Sequence, residues 1–228
     1  MRQFFVMILL VALTGCASSS GKKFELKNLA KTDIDLFTDI HIDEIRRLEK
    51  ELIVKLYKRN PIELTKIPDM TVDKRIGMLM DRLRPVDGFA ELNHKDGVEA
   101  LYLAFDPLYH GDRVFALMAG ITGMINKAYD EKLEVFVYDE LDEQKLYNSA
   151  RNLEIVAWLL NNKRDEHNRL LLLSNGVSKE GVVNYSYERV LSQMIIIQDM
   201  MAKLIADSSN RQINTVVHGV ASMVFIPI

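Results

Sequence analysis

Three of the five histidines stand two residues before an aspartate, a combination of side chains that can bind a metal ion. The pairs are His41 with Asp43, His94 with Asp96, and His110 with Asp112. Imidazole and carboxylate groups are ligands for zinc. Each aspartate also stands where the sequence predicts the start of a helix, and a carboxylate there accepts backbone N–H bonds. Because no His-x-x-x-His or cysteine-rich spacing accompanies the pairs, we interpret the aspartates as helix caps and predict no metal and no cofactor.

A cluster of four carboxylates stands at the predicted start of another helix. It comprises Asp139, Glu140, Asp142 and Glu143. Because a pair of carboxylates supplies the acid and base of glycoside cleavage, cell-wall hydrolysis is one alternative for the function. Acidic residues in a first helical turn also stabilise the helix dipole, and a catalytic acid needs an apolar pocket to raise its pKa. We favour the dipole interpretation and predict no catalytic residue.

The densest polar stretch contains Arg151, Asn152 and Glu154 and continues through residues 161–168, which include Arg164 and Asp165. A solvated helix end followed by a loop explains this composition, and a recognition surface formed by these five residues is the alternative. The sequence has no Gly-rich phosphate loop and no nucleophile elbow. This argues against the common nucleotide enzymes and serine acyltransferases and favours a non-enzymatic protein.

The first fifteen residues have the organisation of a secretory signal. Arg2 and the amino terminus supply positive charge, and residues 4–13 form an unbroken apolar run. A membrane-spanning helix needs about 20 apolar residues, so this run is too short to be a stable span.

The segment Leu13-Thr14-Gly15-Cys16 directly follows the apolar run and resembles the lipobox of bacterial lipoproteins. The resemblance implies cleavage before Cys16, lipid on its sulfur, and attachment to a membrane through several acyl chains. Ala17, rather than an aspartate, follows the cysteine. In bacteria with two membranes, this implies sorting to the outer membrane, with the body on its periplasmic face.

Residues 17–31 are small, polar and basic, a composition typical of a flexible tether. Cys16 is the only cysteine, so no intramolecular disulfide can form and the body must be stable through packing alone. We therefore divide the chain into a signal peptide at 1–15, the lipidated cysteine and tether at 16–31, and one helical globular domain at 32–228.

The composition is that of an ordinary globular protein, with 48% hydrophobic and 27% charged residues. The formal net charge is −3, or −4 once Arg2 is removed with the signal. No basic field for nucleic acid is present. Since no second hydrophobic stretch reaches spanning length, lipid is the only membrane attachment that the sequence predicts.

Apolar residues recur at three- and four-residue spacing along most of the body, which indicates amphipathic helices. The predicted helices cover residues 42–57, 76–83, 98–105, 112–129, 142–162 and 187–205, and the first three end at Pro61, Pro85 and Pro107. The helix at 112–129 is apolar nearly all round, as expected of a core helix. Ala116 with Gly120 and Ala119 with Gly123 are small residues four apart, so a neighbouring helix could approach closely there.

Two segments stay open between helix and strand. Leu133–Tyr138 alternates like a short strand, and the nearly uncharged end from Ile213 to Ile228 fits either type. We expect this end to dock in the core or against a partner. The sequence thus predicts an all-α, mostly helical single domain of seven or eight helices, with room for one minor strand pair.

For function we expect an interaction or assembly module that binds an envelope protein near the membrane. A carrier with an apolar cavity between its helices, which binds a lipid or another hydrophobic molecule, is the second hypothesis, and a cell-wall hydrolase is the third. An enclosed pocket with convergent polar groups would favour the second or third hypothesis. A filled core with an exposed apolar patch would favour the first.

Overall fold

A computed structural model describes residues 33–80, 85, 87–132, 134–135, 140–177, 180–209, 212–214 and 224–228. The signal, the lipobox, the predicted tether and most of Leu133–Tyr138 lie outside the described residues. The fold is mostly helical, as the sequence predicts. Among the described helices, none is both long enough and apolar enough to cross a membrane.

Seven α-helices and one two-stranded antiparallel sheet form the described part of the chain. The helices are α1 Asp33–Arg59, α2 Pro61–Leu64, α3 Val72–Met80, α4 Val98–Ala104, α5 Arg113–Ala128, α6 Glu143–Asn162 and α7 Ser186–Ser209. A 3-10 turn covers Ala90–Leu92, and strands β1 Gly176–Val177 and β2 Val183–Asn184 pair before α7.

Helix α5 lies at the centre of the core. Fourteen of its residues are buried, because its surface is apolar nearly all round, as the sequence indicates. The close approach predicted for its small residues is confirmed at Gly120, where a Cβ atom would lie 2.6 Å from the Leu101 side chain and 2.8 Å from the Leu101 backbone nitrogen. Helix α4 therefore packs directly on the α5 backbone.

Helix α7 packs against α6 and α1. Its buried stripe includes Tyr187, Val190, Met194 and Met201. A buried polar contact fixes the three-helix junction: the Tyr129 hydroxyl donates to Gln198 Oε1 at 2.8 Å. Gln198 Nε2 in turn donates to the Ser149 hydroxyl at 2.9 Å. Hydrogen bonding offsets the cost of burying these polar groups.

Helix α1 begins nine residues before the predicted start and is the longest of the described elements, about 40 Å at 1.5 Å per residue. Its early turns bury Asp35 and Thr38 rather than a run of apolar residues, so the apolar period is interrupted there. Asp43 lies inside this helix. The prediction that Asp43 caps a helix is therefore wrong.

The C-terminal residues dock on α6, as the sequence predicts for this end of the chain. Phe225 and Ile226 are buried. Asn152 donates to the Ile226 carbonyl at 2.8 Å and accepts from the Ile226 amide at 2.7 Å. One turn earlier, Asn148 donates to the Pro227 carbonyl at 3.1 Å. An amide ladder on α6 thus satisfies the backbone of an end that is neither helix nor strand at 224–228.

Candidate interaction cleft

A fully buried ion pair lies under the candidate site and fixes α3 against α5. Arg75 and Asp112 have no exposed side-chain surface, and Arg75 Nη2 lies 3.1 Å from Asp112 Oδ2. Arg75 Nη2 also donates to Glu91 at 2.8 Å, and its guanidinium lies 3.8 Å from the Phe115 ring centroid. These partners matter because an isolated buried charge is strongly destabilising.

Asp112 is also the cap of α5. Its carboxylate accepts from the Phe115 amide at 2.9 Å and from the Tyr57 hydroxyl at 2.7 Å. The capping interpretation of His110-Gly111-Asp112 is confirmed. Burial raises the pKa of Asp112, while the hydrogen bonds from Phe115 and Tyr57 and the positive charge of Arg75 oppose that rise. Burial also raises the pKa of Tyr57 well above its usual range, so its hydroxyl remains a donor to the carboxylate.

A second layer of polar contacts holds the loop between α4 and α5. The Arg113 guanidinium donates to three backbone carbonyls, those of Ala104, Asp106 and Pro107, at 2.9, 2.6 and 3.1 Å. Glu63 on α2 accepts from the Arg113 amide at 2.6 Å. Because the loop carbonyls share one cation, the position of residues 105–112 is tightly determined.

Lys66 ties α2 to the same loop. Its ammonium group donates to both Glu63 carboxylate oxygens at 2.8 Å and to the Gly111 carbonyl at 2.8 Å. Tyr109 packs on Gly111 so closely that a Cβ atom there would lie 2.2 Å from the Tyr109 hydroxyl. Burial raises the pKa of Tyr109 to about 12, with the charges of Asp112 and Glu91 adding to the rise. The phenol is therefore neutral at physiological pH.

Above these contacts lies an open cleft of about 760 Å³, which we call the distal cleft. It is lined by residues 59–63, Lys66, residues 107–110, Arg113, residues 165–167, residues 169–171 and Leu173. Its volume is within the range of pockets that bind drug-sized molecules. Four lining side chains are cationic, three are carboxylates and two are histidines.

Three large apolar side chains at this cleft are exposed to solvent. Leu108 is 79% exposed, Ile62 is 69% exposed and Leu173 is 45% exposed. Single exposed apolar residues are common on protein surfaces, but a group of them rimmed by polar residues marks an interaction site. Sequence reasoning missed this group, because its members come from three separate loops and short elements.

Asn60 holds one wall of the distal cleft in place. It is buried, donates to the Leu173 carbonyl at 2.9 Å and accepts from the Leu173 amide at 2.7 Å. Asp165 orders the turn beside it by accepting from the amides of His167 and Arg169, each at 2.9 Å. The bond from the Arg169 amide is the main cause that lowers the pKa of Asp165. The wall is thus fixed before any partner binds.

The structure separates the five residues of the predicted recognition surface. Asn152 is fully buried, since both ends of its amide bind Ile226, and it cannot form part of a surface. Arg151 pairs with Asp199 at 2.7 Å and with Glu154 at 3.2 Å. Arg164 and Asp165 lie after the end of α6, which is roughly 16 Å from Arg151 along the helix axis. Of the five, only Asp165 lines the distal cleft.

The remaining candidate residues are dispersed. His41 lies 2.7 Å from the Phe37 carbonyl, and His94 lies 3.0 Å from the Asp87 carbonyl. Asp96 lies two residues before the first residue of α4, and the N-cap position that the sequence predicts for Asp96 belongs to Gly97. Among the residues that the structure describes, no three His, Cys, Asp or Glu side chains form a group that could hold a metal ion.

The acidic cluster contributes a helix cap. Asp142 is the N-cap of α6 and accepts from the Gln144 amide at 2.8 Å and the Lys145 amide at 3.2 Å. Glu143 is buried in the first turn, and Asp139 lies outside the described residues. The dipole and capping interpretation therefore accounts for Asp142.

A second cleft, of about 880 Å³, lies between α1, α3, α4, α5 and the C-terminal residues. Its lining mixes cations such as Arg46 and Lys127 with carboxylates such as Asp87 and Glu99. Pro227 and Ile228 form part of its wall. Docking of the C-terminal residues therefore helps to shape this cleft.

Comparison of the chain with models of known protein families, with curated proteins and with solved structures gives no match.

Proposed function

We propose that this protein is an outer-membrane lipoprotein, anchored by lipid on Cys16, whose helical domain binds an envelope protein on the periplasmic side. The domain acts as a non-enzymatic interaction module, and the distal cleft is its binding site.

The observation that carries the proposal is the exposure of Ile62, Leu108 and Leu173 around an open cleft with fixed walls. Burial of a Leu or Ile side chain contributes about 1.5–3 kcal/mol relative to full exposure. Three such side chains can therefore supply several kcal/mol to a complex. Preordered walls add to the affinity, because little conformational entropy is lost on binding.

The packing of the core supports a binding module over a carrier. Helices α1, α4, α5 and α6 meet through side chains that are fully buried, among them Leu52, Leu101, Phe115 and Leu153. The two large clefts open to solvent, and a third cavity, between α1 and α5, measures about 10 Å³. That volume is about enough for one water molecule and far too small for a lipid.

The buried charges favour a structural over a catalytic role. Arg75 and Asp112 have the chemistry of an active-site pair, but neither has any surface that a substrate could touch. Asp142, from the cluster considered for glycoside cleavage, is engaged as a cap. These placements support the non-enzymatic proposal.

Site-specific photo-cross-linking tests the binding site. A photoreactive amino acid replaces Leu108 in the full chain, and cells are irradiated with the protein in its membrane. We expect a reproducible adduct with an envelope protein. The same amino acid at Met200, which is 55% exposed on α7, is the matched control and should give little or none. An adduct at neither position, or equal adducts at both, would contradict the proposal.

Lipid anchoring is tested separately with the Cys16→Ser variant of the full chain. We expect labelled fatty acid to enter the unaltered chain but not the variant. Equal labelling of both would show that Cys16 is not the anchor.

A further inference from the structure

Residues 224–228, which we call the C-terminal strap, lie between α4 and α6 as a bound peptide would. Both helices pack on α5. The Phe225 amide donates to the Tyr102 hydroxyl on α4 at 3.0 Å, whereas Ile226 forms two hydrogen bonds with Asn152 on α6. Ile226 precedes a proline, which favours an extended backbone. Because neighbouring side chains of an extended segment point in opposite directions and both are buried here, the strap occupies a groove with two walls.

The amide ladder of α6 binds backbone atoms of the seated segments. Asn148 donates to the Pro227 carbonyl at 3.1 Å. Gln144, one turn away on the same face, donates to the Asn214 carbonyl at 3.2 Å and accepts from the Asn214 amide at 2.9 Å. Gln144 also donates to Asn148 Oδ1 at 2.9 Å, which orients the Asn148 amide towards the strap. In peptide-binding grooves, bonds to the main chain supply affinity and side-chain pockets supply specificity.

The side chains of the strap show which peptides fit the groove. The Phe225 ring packs edge-on against the Tyr102 ring, with centroids 5.0 Å apart, a contact that favours an aromatic residue. Burial of Ile226 favours an aliphatic residue at the next position. The ladder binds Pro227 through its carbonyl, so a proline satisfies this position although it has no N–H. The groove therefore suits an extended segment with an aromatic residue, an aliphatic residue and a proline in that order.

The strap can leave the groove without breaking a helix or a strand. Within the described ranges, the backbone of residues 224–228 forms no hydrogen bond with another backbone group. Its hydrogen bonds are to side chains that stay in place on α4 and α6 when the strap departs. Segments held by few contacts open at a lower free energy than the core. Pro227 and Ile228 also form part of the wall of the 880 Å³ cleft, so opening of the strap would widen that cleft.

We propose that the groove between α4 and α6 binds an extended segment of a partner protein that carries an aromatic residue, an aliphatic residue and a proline in sequence. The C-terminal strap is the intramolecular competitor of that segment. Only the open fraction of molecules can bind the partner, so the strap weakens the apparent affinity by that fraction. The inference goes beyond the proposed function, because Tyr102, Asn148 and Asn152 do not line the distal cleft.

Fluorescence anisotropy with a synthetic peptide tests the groove. The peptide has the sequence of residues 224–228, preceded by a fluorophore and by lysines that keep it soluble. The receptor is the full chain, purified in detergent. Phe225→Ala weakens the strap and leaves the groove unchanged, so this variant should bind the peptide about ten-fold more tightly than the unaltered chain. Val224→Ala is the matched control, since Val224 is 53% exposed, and it should bind like the unaltered chain.

A change in the peptide backbone locates the peptide in the groove. Methylation of the peptide nitrogen that corresponds to Ile226 removes the donor to Asn152. It should weaken binding to Phe225→Ala about ten-fold, because a buried acceptor loses its partner. In the double variant Phe225→Ala, Asn152→Ala, methylation should have little further effect, since the acceptor is already absent. Circular dichroism checks that each variant is folded.

Hydrogen exchange of the unaltered chain tests displacement of the strap without any substitution. An excess of unlabelled peptide should speed exchange at the Phe225 and Ile226 amides about ten-fold, because the peptide holds the groove while the strap is out. The methylated peptide should leave exchange unchanged. Mass spectrometry of a proteolytic fragment that ends at Ile228 separates the strap from the added peptide by mass.

Each outcome supports or overturns the inference. Peptide binding to a folded Phe225→Ala variant that is no tighter than to the unaltered chain would overturn it, as would hydrogen exchange that the peptide leaves unchanged. Equal binding of the methylated and unmethylated peptides would show that they bind elsewhere. Co-purification of two differently tagged unaltered chains, lost in Phe225→Ala, would assign the groove to the strap of a second copy and overturn the partner segment. None of these results changes the photo-adduct expected at Leu108, which tests the distal cleft.

Discussion

The buried Arg75–Asp112 pair allows a quantitative test of how the interaction cleft is supported. In the Arg75→Met variant, Asp112 would keep its bonds from Tyr57 and Phe115 but lose its cation. Removing one partner of a buried pair costs about 3–5 kcal/mol, because the other charge stays buried and uncompensated. Glu91 should add little to this cost, since its side chain is 27% exposed and water can solvate it.

The size of this effect makes the Arg75→Met variant marginally stable. Domains of this kind unfold with free energies of about 5–15 kcal/mol. A second substitution, Asp112→Asn, keeps an oxygen to accept from the Phe115 amide and removes the negative charge. The double variant should therefore be more stable than Arg75→Met alone, with a coupling energy of about 0.5–3 kcal/mol between the two positions.

The Arg75→Met variant should also respond to pH in a characteristic direction. Burial already raises the pKa of Asp112 above its ordinary value of 3.8, and loss of Arg75 raises it further. The folded state then binds a proton more readily than the unfolded state, so stability falls as pH rises from the unfolded to the folded pKa. Relative to the unaltered protein, the variant should recover stability as pH is lowered through that window.

Urea denaturation followed by circular dichroism at 222 nm measures all four proteins of the cycle, at neutral pH and at acidic pH. The double variant should show little of the pH-dependent recovery of Arg75→Met, because the asparagine at position 112 does not titrate. A loss below about 1 kcal/mol for Arg75→Met, or an additive double variant, would refute the account of Asp112 as a charge that depends on Arg75.

Two further predictions concern close packing and the C-terminal residues. Gly120→Ala should destabilise the protein by about 1–2 kcal/mol in thermal unfolding, because the new Cβ atom would meet Leu101. Gly77→Ala is the control: its new Cβ atom would have no neighbour within 4 Å, so the variant should be more stable by about 0.5–1 kcal/mol. Equal effects of the two substitutions would contradict the packing argument. Asn152→Ala should cost about 1–3 kcal/mol and speed hydrogen exchange at the Ile226 amide, and unchanged exchange would refute the amide ladder.

The sequence predicts those helices whose caps and apolar spacing can be recognised within one continuous segment. Helix α5 is found to within a residue at each end, because Asp112 is a recognisable cap and the apolar residues continue to Tyr129. The start of α1 is not found, because its first turns bury Asp35 and Thr38 and expose Leu36 and Phe37. In these turns polar side chains are buried and apolar side chains are exposed, so the apolar periodicity gives the wrong start for the helix.

The cleft could not be predicted from the sequence, because its supports join residues far apart in the chain. Tyr57 and Asp112 are 55 residues apart and Asn60 and Leu173 are 113 apart. The position of Asn152 could not be predicted either, for the same reason. Its polar neighbours favour a solvated surface, while its actual partner, Ile226, follows 74 residues later.

The three carbonyls gathered by Arg113 have a kinetic consequence for binding at the distal cleft. They hold the loop that presents Leu108, so a partner meets this side chain in its binding position and does not wait for the loop to order. Association should then be a single-step process, with an observed rate that rises linearly with partner concentration.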